Sequence, residues 1–193
     1  MFTHGFELTT ALTSVIIFIV SLFCFFKTKE RGLWKFFFFC MIIDSFMGSI
    51  IHGIVMKEEL INALWVVLAF FFTLTINTIL CIFLRCSYMH ISILSILLSV
   101  LLCSQMILGM DFLLTFTFYA LLILVICTFF ILKDRMKGYH YILLGFLFQL
   151  LGGVLMLRHV KFVIVDHNGI YHLFMALTLV CLYLGINKKY KLC

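Results

Sequence analysis

The sequence contains no proline, and charged residues make up only 11% of its 193 positions. Proline is the residue that most often breaks or kinks a helix, so its absence predicts long uninterrupted helices. The shortage of charge excludes a water-soluble globular protein, because such a protein needs polar residues over most of its surface. The composition therefore predicts that the chain lies in a lipid membrane.

The eight cysteines lack the paired spacing, such as C-x-x-C, that is typical of metal and redox motifs. Most of them fall inside apolar runs, where a small polarizable side chain packs like a hydrophobic one. We interpret them as buried free thiols.

Hydrophobic residues make up 65% of the chain and gather into seven runs. About 20 apolar residues in a helix cross roughly 30 Å of hydrocarbon. The sequence thus predicts an all-α polytopic membrane protein: one domain over residues 1–193, folded as a seven-helix transmembrane bundle with the lipid bilayer as its partner. The predicted spans are 8–26, 36–55, 61–84, 91–109, 112–132, 140–157 and 168–186.

The break between the fourth and fifth spans rests on Gly109, Met110 and Asp111. A single bent helix is the alternative, but Asp111 in the middle of the membrane would cost about 2.5 to 3.5 kcal/mol on insertion scales. A tight turn is therefore favoured.

Positive residues predict the orientation, because loops rich in Lys and Arg stay in the cytoplasm. Seven spans place eleven of the 14 Lys and Arg residues on one side and three on the other. The N-terminus is then outside and the C-terminus cytoplasmic, and in a bacterium the membrane would be the plasma (inner) membrane. Because these charges lie at the ends of apolar runs and form no basic stripe, nucleic acid is excluded as a partner. The three Lys and Arg residues on the predicted outer side are Lys57, Arg158 and Lys161.

Small residues recur at helical spacing on two spans and predict close helix packing. They are Ser92, Ser95, Ser99 and Cys103 on the fourth span, and Gly145, Gly152 and Gly153 on the sixth.

Ionisable groups inside a bundle are costly, so each one is a candidate functional residue. Glu7, Asp44, His52, His167 and His172 all fall in the outer half of the predicted membrane region. Glu7 and Asp44 are the two carboxylates among them.

The second span orders some of these groups on one face. Asp44, Gly48 and His52 follow one another at intervals of four residues, and Ser49 lies on an adjoining stripe. Ser49 is a candidate polar group beside Asp44, although a serine can also satisfy its hydroxyl on its own helix.

The segment from Asp166 to His172 is the most informative stretch of the chain. Asp166 or Asn168 can cap the last span, and Asn168 lies on the same helix face as His172. His52, His167 and His172 offer three imidazoles, the number of protein ligands that a catalytic zinc requires. The alternative is that His167 lies at the wet interface while His172 bonds to a neighbouring helix.

Glu7 stands within a Thr-rich start (Thr9, Thr10, Thr13), and the last span begins with the run His167-Asn168-x-x-Tyr171-His172. These two motifs resemble those of the CREST superfamily, the seven-span proteins that include alkaline ceramidases and the progestin and adiponectin receptors, and especially those of its small bacterial members.

The resemblance implies a zinc held by one His on span two and two on span seven, with a Ser one turn before the first His and an Asp nearby. His52 and His172 match the first and last ligands, whereas Asn168 and Gly48 stand where the family has His and Ser. The candidate to replace the missing His ligand is His167, and the candidates to replace the missing supporting groups are Ser49 and Asp44. The residues expected around the metal are Asn168, Asp166 and Tyr171.

The resemblance implies metal-dependent hydrolysis of a lipid amide or ester, with an acyl-lipid substrate entering from the bilayer. Glu7 or Asp44 would then act as general base or orient the water molecule. The alternative is a non-catalytic receptor, transporter or accessory protein in which the same residues form a hydrogen-bond network.

Overall fold

The computed structural model describes residues 7–29, 32–84, 88–107, 112–134, 138–162 and 164–190, and these residues form seven α-helices. The all-helical prediction is confirmed, while the predicted break at residues 109–111 lies outside the described residues. The helices are α1 (Leu8–Lys27), α2 (Leu33–Gly53), α3 (Glu58–Leu84), α4 (Tyr88–Ile107), α5 (Phe112–Asp134), α6 (Tyr139–Leu157) and α7 (His167–Tyr190).

Five of these helices, α1, α2, α3, α6 and α7, are long and apolar enough to cross a membrane. In α4 and α5 the apolar stretches are shorter among the described residues, at Ser92–Leu101 and Ala120–Lys133. Large apolar side chains such as Phe26, Leu97 and Phe129 are more than half exposed. Lipid is the solvent that such a surface requires.

The helices pack in a ring. In the described residues, α1 lies between α2 and α7, α3 packs against α2 and α5, and α6 lies between α5 and α7. α4 contacts α3 and α5 within the same residues, which places it against the outside of this ring.

Hydroxyl and amide groups join α4 to α3, as the small-residue stripe of the fourth span predicts. The hydroxyls of Thr73 and Ser99 lie 2.8 Å apart in a hydrogen bond. The side-chain amide of Asn77 donates to the Ser95 hydroxyl at 3.0 Å. These buried polar side chains of α3 and α4 are thus satisfied by each other, within the bundle.

α6 and α7 approach each other closely at glycines. A Cβ atom added at Gly152 would lie 2.7 Å from the Cβ of Phe174, and one at Gly145 would lie 3.2 Å from the Cβ of Cys181. The Thr178 hydroxyl also donates to the Gly145 carbonyl at 2.9 Å. The prediction for Gly153 is wrong: a Cβ there meets no described atom within 4 Å, because one further residue turns the helix face away by about 100°.

Candidate functional site

The start of α1 is attached to the end of α2 at Glu7 and His52. The backbone N–H of Glu7 donates to the His52 carbonyl at 3.1 Å. The side chains meet as well: Oε2 of Glu7 lies 3.0 Å from Nδ1 of His52. This oxygen is buried and has no partner in hydrogen-bonding geometry. The two atoms are therefore at ion-pair distance, but their arrangement falls outside the geometry of a hydrogen bond.

His172 lies in the second turn of α7 and faces three oxygen atoms of α1. Its Nδ1 is 3.1 Å from the Ser14 hydroxyl, 3.3 Å from the Thr13 hydroxyl and 3.3 Å from the Thr10 carbonyl. Both hydroxyls donate their hydrogens to backbone carbonyls of α1. Only acceptor lone pairs are then left for His172, which assigns the ring hydrogen of a neutral imidazole to Nδ1 and leaves the lone pair on Nε2.

His52 of α2 and His172 of α7 come near each other beside the first turns of α1. Their ring centroids are 6.4 Å apart, and the indole of Trp65 packs edge-on against His52 at 5.9 Å. Ser14 also lies where α2 comes near α1, because a Cβ added at Gly48 would lie 3.5 Å from the Ser14 hydroxyl. A hydroxyl of α1 therefore lies next to position 48, where the chain has glycine.

Asp166 joins α7 to α1. Its carboxylate accepts hydrogen bonds from the hydroxyls of Thr9, at 2.7 Å, and Thr10, at 3.0 and 3.1 Å. The backbone N–H of Gly169 donates to it at 2.6 Å, so Asp166 caps α7. Partial burial raises the pKa of this carboxyl. The hydrogen bonds and the neighbouring His167 together lower the pKa by more than burial raises it, so the pKa lies below its usual value.

Replacing Asp166 with alanine is expected to lower stability by about 1 kcal/mol, the usual cost of a lost helix cap. Asp166→Asn serves to test the pH dependence. Because the folded-state pKa is depressed, the charged carboxylate stabilises the protein above its ordinary pKa of 3.8, and this contribution is lost as the pH falls through the folded-state value. The gap in melting temperature between wild type and Asp166→Asn should therefore shrink below about pH 4. A gap that is constant from pH 7 to pH 3 would contradict this role.

The other candidates of the last span lie around this cluster. The ring of His167 packs against His159 at 4.8 Å, and its buried Nδ1 has no hydrogen-bond partner among the described residues. Asn168 is half-buried in the first turn of α7. The Tyr171 hydroxyl accepts from the Gln149 amide at 2.7 Å, which ties α7 to α6. The metal and supporting roles expected for them stay predictions.

Asp44 and Ser49 do not join Glu7 and His52. Asp44 is 5% exposed, and its Oδ2 accepts from the Thr75 hydroxyl at 2.9 Å. It lies two helical turns from His52, about 12 Å along the axis. The Ser49 hydroxyl donates to the carbonyl of Phe46 in its own helix. Their catalytic roles stay predictions, and the structure gives them separate surroundings.

Zinc is bound by carboxylate and imidazole groups, which Glu7, His52 and His172 supply. Part of the spacing between these groups also suits a zinc ion. Among the described residues, no group of three His, Cys, Asp or Glu side chains is close enough to hold a metal as it stands. Yet the separation of 3.0 Å between Glu7 Oε2 and His52 Nδ1 is near the ~3.3 Å between two ligand atoms of a tetrahedral zinc. Two imidazoles on one zinc have centroids about 5 Å apart, so His52 and His172 would have to approach by roughly 1 Å.

The sequence did not predict that hydroxyls of α1 contact the site residues of α7, as Thr9, Thr10, Thr13 and Ser14 do. A signal was present, because Thr10, Thr13 and Ser14 are spaced three and four residues apart and so share one face of α1. All three are buried. A hydroxyl in a membrane helix is ordinarily satisfied by its own backbone, so spacing alone could not indicate that they orient a histidine.

Comparison with protein families identifies the family to which the chain belongs. No curated protein and no solved structure is significantly similar to the chain. The profile of a family of unknown function, DUF6962, matches residues 9–191, a range that includes His52, Asp166 and His172 and begins just after Glu7. The chain therefore belongs to the DUF6962 family.

Proposed function

We propose that the protein is a metal-dependent intramembrane hydrolase of a lipid amide or ester, and a divergent relative of the CREST superfamily. One observation carries the proposal: Glu7, His52 and His172 converge where α1 begins, α2 ends and α7 begins. An oxygen of Glu7 without a hydrogen-bond partner and the free Nε2 of His172 are both suited to a cation.

His52, His172 and Glu7 would hold a zinc ion. Glu7 takes the third position in this proposal because it already contacts His52, whereas His167 lies against His159. Bound there, zinc would polarise the substrate carbonyl and lower the pKa of a water molecule.

The residues of α1 fix the orientation of this site. Thr10, Thr13 and Ser14 accept from Nδ1 of His172, which holds the ring in the tautomer that presents Nε2. Asp166 holds α7 against α1 and so keeps His172 facing these oxygens. A substrate with an acyl tail would reach His52 and Glu7 from the bilayer, since their side chains are 19% and 36% exposed.

The proposed topology has seven spans, with the N-terminus outside and the C-terminus in the cytoplasm, in the plasma (inner) membrane if the organism is bacterial. Contacts at Glu7–His52 and Thr9–Asp166 support it, because they place the starts of α1 and α7 at the same end as the finish of α2. α3 then ends, and α6 begins, at the opposite end of the bundle. The two helices between them, α4 and α5, must therefore either both cross the membrane or both stay on one side. The excess of Lys and Arg at the opposite end supports the orientation.

The second candidate is a non-catalytic receptor, transporter or accessory protein. It is favoured by the finding that three potential ligands do not yet lie within reach of one metal in the described residues. In that case Glu7, His52 and His172 form a hydrogen-bond network that responds to a proton or a ligand.

The experiment that separates these functions is a hydrolysis assay on purified protein in detergent. Ceramides, lysophospholipids and other acyl lipids would be supplied, and released fatty acid measured with and without a zinc chelator. The hydrolase proposal expects release that the chelator stops and added zinc restores. Fatty acid release that is insensitive to the chelator, or no release from any acyl lipid by zinc-loaded protein, would favour the second candidate.

A further inference from the structure

The segment between α6 and α7 carries an exposed apolar tip. Phe162 is 64% exposed and Ile164 is 80% exposed. The backbone N–H of Phe162 donates to the Val165 carbonyl and that of Val165 to the Phe162 carbonyl, both at 3.0 Å. This reciprocal pairing ties the backbone of Phe162 to that of Val165. Phe162 and Ile164 lie outside the helices, so contact with lipid tails along a span does not account for them.

Two positive charges lie beside this tip without a carboxylate partner. Arg158 and Lys161 are exposed, and within the described part of the chain neither has an acidic group at ion-pair distance. The nearest acidic residue in sequence, Asp166, is committed to Thr9, Thr10 and Gly169. The segment therefore presents uncompensated positive charge next to exposed apolar surface.

The segment is also fixed in position relative to the site. His159 adopts a left-handed backbone conformation with φ of 50°, and its ring packs on His167 in the first turn of α7. Asp166 ties the other end of the segment to α1. The charges and the tip are thus held at the end of the bundle that carries Glu7 and His172.

We propose that this segment binds the phosphate headgroup of an anionic phospholipid from the surrounding bilayer. Arg158 and Lys161 contact the phosphate, while Phe162 and Ile164 lie against the glycerol and upper acyl region. A free phosphate ion would neutralise the two cations but leave the apolar tip in water, whereas a phospholipid satisfies both. This binding site does not depend on the proposed hydrolase.

The test uses the full chain carrying Phe162→Trp, reconstituted in phosphatidylcholine vesicles. Bromine-labelled phosphatidylglycerol or bromine-labelled phosphatidylcholine would quench the added tryptophan, with the parent protein, which contains Trp34 and Trp65, as background. Quenching is expected to be stronger with phosphatidylglycerol. Each of Arg158→Gln and Lys161→Gln should reduce this preference by about fivefold. The control is Lys57→Gln, which removes an exposed cation at the same end and should leave the preference intact.

Equal quenching by the two lipids would overturn the proposal, as would an equal loss of preference in Lys57→Gln. If inorganic phosphate abolishes the preference while sodium chloride at the same ionic strength leaves it intact, the two cations take up free phosphate in place of the lipid, and the proposal is overturned. If Phe162→Trp does not fold, native mass spectrometry of the otherwise unchanged protein decides. It should show phosphatidylglycerol retained by the wild type and lost from the Arg158→Gln, Lys161→Gln double variant, and equal retention would overturn the proposal.

Discussion

Replacing Glu7 with glutamine is expected to lower kcat/KM for lipid hydrolysis by about 100-fold or more, because losing a proposed zinc ligand costs at least as much as losing a group that orients one. Glutamine keeps the size of the side chain and the backbone hydrogen bond from Glu7 to His52. It removes the negative charge that lies 3.0 Å from the His52 ring. The same variant should bind zinc more weakly, because a neutral amide is a poorer ligand than a carboxylate.

The matched control for Glu7 is Glu59→Gln. Glu59 is exposed in the first turn of α3, at the same end of the bundle, and the described structure gives it no contact with the site. Its replacement should leave hydrolysis and zinc content unchanged. If Glu7→Gln retains full activity while Glu59→Gln loses it, Glu7 has no part in the chemistry.

Gly152→Ala and Gly153→Ala are expected to change stability in opposite directions. A methyl group at Gly152 would come within 2.7 Å of the Phe174 Cβ, so α6 and α7 would have to separate. Overpacking of this kind costs about 1 to 3 kcal/mol. At Gly153 the space is open, and alanine favours the helix by up to about 1 kcal/mol.

Thermal unfolding in detergent would measure both variants. Gly152→Ala should melt several degrees below the wild type, and Gly153→Ala at or slightly above it. Equal shifts in the two variants would show that α6 and α7 do not approach each other at Gly152.

The helices were the most predictable feature of the fold. The apolar runs are long, contain no proline, and are separated by short polar clusters, so the start and end of each helix are strongly marked. The described helices lie along those runs. The number of crossings is harder to predict, because it depends on a single weak break at Gly109 and Asp111, where an apolar run is interrupted by one carboxylate.

Part of the candidate site was predictable from the free-energy cost of placing ionisable side chains in a membrane. Glu7, His52 and His172 are expensive in a membrane, and helical spacing with an alternating topology places them at one end of the bundle. The structure brings them near one another, but it leaves Asp44 two turns away and satisfies Ser49 on its own helix. Depth along a span can be inferred from sequence, whereas the direction of a side chain around the helix axis depends on which neighbours pack against it.

The histidine tautomer could not be inferred from the sequence. It follows from three oxygen atoms of α1, and two of them become acceptors only because their hydroxyls donate to backbone carbonyls. Such an arrangement requires the contact between α1 and α7. Sequence spacing placed Thr10, Thr13 and Ser14 on one face but did not show what that face would meet.

The metal content of the purified protein tests the central claim most directly. Elemental analysis of the wild type would be compared with the His52→Ala, His172→Ala double variant and with His140→Ala, an exposed histidine at the opposite end of α6. We expect about one zinc per chain in the wild type and in His140→Ala, and none in the double variant. Zinc retained by the double variant, or no metal in any of the three after purification in zinc-containing buffer, would contradict a metal-dependent site at Glu7, His52 and His172.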